Sequence, residues 1–73
     1  MAGQSVSRES MVYPCYVQTK DKGGEWYWVY YARNGEAIAR SSEGYENKSD
    51  CTDSITLVQK SADAKVYIPA DDS

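Results

Sequence analysis

The sequence predicts an α+β fold in βββα order, a three-stranded antiparallel meander with one helix packed on one face. Three observations lead there. An aromatic run, "WYWVYY" from Trp26 to Tyr31, has the composition of a strand; glycine-bearing turns, "KDKGGE" and "NG", separate it from β-rich stretches on either side; and from Lys48 the apolar residues recur at helical spacing. At 73 residues the chain has room for one domain. So short a chain buries only about 60% of the surface its unfolded form exposes, so a disulfide, a metal or a second subunit is expected to supplement the core.

Residues 1–10 are polar and without periodicity, which suits a disordered N-terminal arm. The domain proper is expected over 11–69, with a frayed tail at 70–73. Val12 to Thr19, "VYPCYVQT", is rich in β-branched and aromatic residues and reads as the first strand. Pro14 cannot donate to a ladder and belongs near the strand's start or on an edge. Lys20 to Glu25 is a turn with two glycines, and Glu25 to Arg33 is the second strand. Asn34-Gly35 is the strongest short hairpin signal, read here as a type I′ turn with positive φ at both positions. Glu36 to about Ser42 is the third strand.

Glu43 to Asp50, "EGYENKSD", supplies a glycine turn and then Asn47 as helix N-cap, with Asp50 placed to reach back and to favour the helix dipole. Cys51, Ile55, Val58 and Ala62 line one helical face, with Leu57 on its shoulder, so the helix should run from Lys48 to near Lys60. Lys65 to Pro69, "KVYIP", is either a short fourth strand or an extended tail that pairs with a neighbour.

Strand periodicity sorts the aromatic run into two faces. Trp26, Trp28 and Tyr30 point one way, and Tyr27, Val29 and Tyr31 the other. One helix covers one face. With the tryptophans under the helix against Ile55 and Val58, Tyr27, Val29 and Tyr31 are left as an exposed apolar patch, the kind of surface that marks an interaction site. These three are the predicted dimer interface.

Composition narrows the chemistry. Eight Lys and Arg against eleven Asp and Glu give a net charge of −3, which argues against duplex nucleic acid and anionic membrane surfaces as partners. There is no His, which removes the commonest metal ligand and general base together with every Ser-His or Cys-His nucleophile. Cys15 and Cys51 lack the C-x-x-C spacing of a redox or zinc motif. With no secretory signal and no long apolar run, the chain reads as cytosolic, where two reduced thiols are expected in preference to the Cys15–Cys51 bridge that a first strand passing beneath the helix would allow. No cofactor and no metal site are expected, and the chain is not expected to be an enzyme.

Lys20 to Ala62, "KDKGGEWYWVYYARNGEAIARSSEGYENKSDCTDSITLVQKSA", resembles the repeat of the YegP-like family of small uncharacterised prokaryotic proteins. The resemblance lies in the order of Trp26 and Trp28, Asn34-Gly35 with Ile38 and Ala39, Glu43-Gly44-Tyr45, and then Lys48, Cys51, Ile55 and Val58. It implies a βββα unit present twice in one chain, or once in a chain that dimerises by intertwining. The family has no established catalytic activity, so the resemblance transfers no active-site residues. The chain departs from the family pattern in carrying Tyr27, Val29 and Tyr31 beside the tryptophans, where polar or basic residues are usual, and Asn47 where a Ser is common.

Each remaining candidate has a functional and a structural reading. Trp26 and Trp28 could stack on bases or sugars, but without basic residues around them they read as core. Cys51 on the apolar stripe reads as a small buried hydrophobe. Glu43, Glu46, Asp50 and Asp53 cluster near the helix start, where a solvated face is the simpler account. Glu43 and Tyr45 mark the place where a ligand groove would lie. Gly23-Gly24 lacks the following helix that a phosphate loop needs. Two functions follow from different classes. The first is a non-enzymatic structural or interaction protein acting as a homodimer. The second is a binding module whose aromatic strand, Trp26 to Tyr31, recognises a nucleic acid or small ligand.

Overall fold

The computed structural model describes residues 5–72. The first four residues of the expected arm, and Ser73 of the expected tail, lie outside the described residues. Three strands, β1 (Cys15–Lys20), β2 (Trp26–Tyr31) and β3 (Ala37–Arg40), are followed by one helix, α1 (Lys48–Gln59). The sheet is antiparallel in the order β1-β2-β3, so the fold is the α+β meander plus helix that the sequence predicts. Short 3₁₀ turns lie at Arg8–Ser10, Lys60–Asp63 and Ala70–Asp72.

Both hairpins use the same three-residue loop. In the first, the Gly24 amide donates to the Asp21 carbonyl (3.1 Å) and the Asp21 amide to the Glu25 carbonyl (2.9 Å). In the second, Gly35 donates to Ala32 (2.8 Å) and Ala32 to Glu36 (2.8 Å). Gly24 and Gly35 both have φ of +85°, and no other kind of residue has positive φ among those described. This is the pattern of a type I turn closed by a left-handed glycine, and it corrects the type I′ turn expected at Asn34-Gly35. The physical reason is local. Asn34 keeps negative φ, and its Oδ1 accepts from the Glu36 amide (3.0 Å), as Asp21 Oδ1 accepts from the Glu25 amide (3.0 Å) in the first loop.

Pro14 sits one residue before β1, outside the ladder, and the Tyr13-Pro14 peptide bond is cis. β1 pairs with β2 without interruption, Cys15 opposite Tyr31 through Lys20 opposite Trp26. β3 pairs less regularly, with Tyr30 opposite Ala39 but Tyr31 opposite Ala37, so Ile38 is an extra, bulged residue. Beyond β3, the chain returns to β2. Tyr45 forms a single antiparallel bridge with Trp26, its amide donating to the Trp26 carbonyl (2.7 Å) and its carbonyl accepting from the Trp26 amide (2.6 Å). Gly44 permits this return, because a Cβ there would stand 2.6 Å from Glu25 Oε1.

The helix starts after Asn47, whose extended backbone (φ −107°, ψ 135°) is that of an N-cap residue. The expected side-chain cap is not made. Asn47 Nδ2 instead donates to Asp50 Oδ2 (3.3 Å). α1 lies across the Trp26, Trp28 and Tyr30 face, where, among the described residues, only Trp28 (5% exposed), Cys51 (0%) and Ile55 (8%) are buried. Tyr16, Trp26, Tyr30 and Tyr45 pack half-buried around them. Val58, expected in this core beside Ile55, is 40% exposed, and Leu57 and Ala62 also face solvent. Nearer its start, the helix also sets polar side chains against the sheet. Ser54 Oγ accepts from Trp28 Nε1 (2.8 Å), and the Thr52 hydroxyl donates to Gln18 Oε1 (2.8 Å).

Candidate functional site

The face opposite the helix carries Tyr27, Val29 and Tyr31 from β2, with Val17 and Thr19 beside them on β1. Alternation along a strand fixes this side, since Trp26, Trp28 and Tyr30 are turned toward α1. All three predicted interface residues are half-buried by their neighbours within the sheet. They share one shallow depression of about 420 Å³ with Ala37, Ile38, Ala39 and Arg40. The bulge is what adds Ile38, 64% exposed, to this surface. Tyr13 extends it at the far end, its ring edge-on to Tyr31 at 5.9 Å. The Arg40 guanidinium lies 5.4 Å from the Tyr27 ring centre and adds a cation to this face.

On the helix side, a larger cleft of about 760 Å³ opens between β1, α1 and residues 5–14. Its apolar wall includes Tyr16, Tyr30 and Ile55, and its polar groups include Gln18, Lys48 and Thr52. Trp26 borders this cleft and is flanked by two ammonium groups, Lys20 Nζ at 5.4 Å and Lys48 Nζ at 5.5 Å from the ring. Sequence reasoning saw no cations near the tryptophans. The signal was available, because Lys20 is directly opposite Trp26 once the first hairpin's loop length is known.

The other candidates fall elsewhere. Tyr45 packs against the core and pairs with Trp26, while Glu43 is exposed and uses its carbonyl to accept from the Ser41 hydroxyl (2.9 Å). Neither lines either concavity. Glu46, Asp50 and Asp53 are exposed, and no group of three or more acidic or cysteine side chains converges among the described residues. Cys15 and Cys51 are both free. Burial pushes the Cys51 thiol up, which keeps it protonated and a poor nucleophile near neutrality. Desolvation, with a smaller contribution from Tyr30, also pushes the Tyr16 phenol up.

No helix among the described residues is long and apolar enough to cross a membrane. No solved structure matches the chain. Among curated proteins, a "UPF0339 protein in ptx operon 5'region" of Stutzerimonas stutzeri is 45% identical over 42 residues. That stretch is 58% of this chain but only 37% of the relative, so the chain spans well under half of the relative it matches. The pattern that defines a domain of unknown function (DUF1508) matches residues 21–67, from the first loop through the helix to the extended segment after it. The chain therefore belongs to the DUF1508 family of uncharacterised domains, in keeping with its YegP-like sequence.

Proposed function

We propose that the chain is a non-enzymatic structural or interaction protein that acts as a homodimer in the cytosol, its two subunits completing each other's cores. The observation that carries this reading is the area left uncovered. The chain exposes 6068 Å², whereas a compact monomer of its mass exposes about 4,500 Å². Its radius of gyration is 14.2 Å, against about 11 Å for a compact domain of this length. The surplus of about 1,500 Å² is more than the roughly 800 Å² that one partner contributes to a standard interface.

Two surfaces account for the assembly. The first is the outer face of Tyr27, Val29 and Tyr31, which no helix covers. The second is the extended segment after the helix, in which Val66, Tyr67 and Ile68 are 92%, 78% and 74% exposed. Three consecutive apolar side chains in water are unfavourable, and the open cleft beside the β1 edge offers a partner's segment both apolar walls and an unpaired strand. The family resemblance implies intertwining of two copies, and exchange of this segment is the form of it that we propose.

Light scattering across a dilution series, with urea midpoints at each concentration, tests the reading. If folding and association are one equilibrium, each tenfold dilution costs about 1.4 kcal/mol, and the midpoint falls by roughly 0.5–1 M. A stable monomer with a constant midpoint overturns it. The aromatic strand would then stand free as a ligand surface.

A further inference from the structure

The second hairpin turns on Asn34-Gly35, and it holds in one place every group needed for a spontaneous backbone reaction. We propose that Asn34 is a deamidation site restrained by the fold, with Glu36 as the restraining residue. In this reaction the Gly35 backbone nitrogen attacks Asn34 Cγ. The new N–Cγ bond forms as the Cγ–Nδ2 bond breaks, and ammonia leaves with the proton lost from the Gly35 amide. The cyclic imide then takes up water at one of its two carbonyls, giving aspartate or isoaspartate. Water is the only co-reactant, and nothing is oxidised or reduced.

The turn occupies all three participating groups. The nucleophile, the Gly35 amide, donates to the Ala32 carbonyl (2.8 Å). The carboxamide under attack is held at both ends, since Oδ1 accepts from the Glu36 amide (3.0 Å) and Nδ2 donates to Glu36 Oε1 (2.8 Å). Asn34 and Glu36 are exposed, so water reaches the site freely and access is not what slows the reaction. Gly35 has no side chain to hinder attack once released. The rate is therefore set by opening of the loop between β2 and β3.

The product does not fit the place it came from. Aspartate at 34 sets a second carboxylate against Glu36 where an amide donor had been. Isoaspartate also lengthens the backbone within a loop whose length fixes the register of β3. Either change weakens closure, so each opening that ends in reaction makes the next easier, and the hairpin records its openings irreversibly. The inference is independent of whether the chain dimerises.

Conversion at Asn34 is measured by peptide mass mapping of the full chain, incubated at mildly alkaline pH in native buffer and in concentrated urea. The native rate is expected to be at least about tenfold below the urea rate, the protection of a loop that opens only transiently. Glu36→Ala should raise the native rate severalfold and leave the urea rate unchanged, while Glu36→Gln, which keeps an acceptor for Asn34 Nδ2, should stay near the unmodified chain. Equal native and urea rates overturn the proposal, as does a Glu36→Ala rate no faster than native. If Glu36→Ala unfolds the chain, the native-to-urea ratios of the unmodified and Gln forms decide the matter alone.

Discussion

Replacing Ser54 by Ala tests the polar contact in the middle of the core. Ser54 Oγ is the acceptor for Trp28 Nε1 at 2.8 Å, and Trp28 is only 5% exposed, so its indole N–H cannot turn to water instead. Leaving that donor unpaired costs about 1–3 kcal/mol. Alanine returns about 0.5 kcal/mol through its better helix propensity. The hydroxyl's other bond, to the Cys51 carbonyl (2.7 Å), lies within the helix and costs little to lose. The net loss is about 0.5–2.5 kcal/mol, a sizeable share of the roughly 4–11 kcal/mol expected for a domain of this size. The decisive comparison is a double-mutant cycle with Trp28→Phe, which removes the donor. In that background Ser54→Ala leaves nothing unpaired and should be neutral or slightly stabilising. Urea unfolding followed by circular dichroism, at one fixed protein concentration, reads all four forms. If Ser54→Ala costs the same with and without the indole, the unpaired-donor argument is wrong.

Four further outcomes are expected. Tyr31→Asp, or a charge at Tyr27, should lower the dimer mass and the urea midpoint together; variants that stay dimeric and equally stable would place the interface on another face. Gly44→Ala should destabilise, because its Cβ would stand 2.6 Å from Glu25 Oε1 and 3.0 Å from Glu25 Cβ, and Glu25→Ala should restore only part of the loss since the second contact remains. Stability should fall above about pH 8.5, because burial raises the Cys51 and Tyr16 values in the folded state, so the unfolded chain releases those protons first. The stabilisation is complete below the unfolded values and is lost as pH rises through the folded ones, and a urea midpoint that rises from pH 8 to 11 would contradict this. With a thiol reagent in native buffer, half-buried Cys15 should react first, and Cys51 only at the rate of unfolding.

The elements and their order were legible because each carried its own local signal. "WYWVYY" has a strand's composition, the glycines mark the loops, and Cys51 with Ile55 marks the buried side of the helix. What was not legible depended on contacts made across the fold. Val58, one residue from the helix's end, is 40% exposed, and nothing in the sequence signalled directly that Trp28 takes its acceptor from Ser54, one turn earlier. A buried tryptophan usually demands such a partner, which is the clue that could have pointed to Ser54. The bulge at Ile38 was hidden because Ala37, Ile38 and Ala39 are all apolar and give no alternation to show the slip. The bridge from Tyr45 to Trp26 was invisible for a similar reason, since a single backbone pair has no periodicity. That Tyr27, Val29 and Tyr31 share one face was readable from the strand period alone, whereas their half-burial and the added Ile38 were not.

The twin loops also bear on kinetics. Each reverses the chain within three residues, so every strand pairing in the sheet joins close neighbours in sequence, and little chain entropy opposes its formation. Low contact order of this kind goes with fast folding, and isolated hairpins close in microseconds. The meander should therefore form first within a single chain, with helix docking next and, if the proposed dimer forms, the encounter of two chains last. In a stopped-flow refolding experiment the fast phase would be independent of protein concentration and the slow phase proportional to it. In the proposed dimer, how long Val66 to Ile68 stay in water would then be governed by chain abundance, not by the speed with which the sheet assembles.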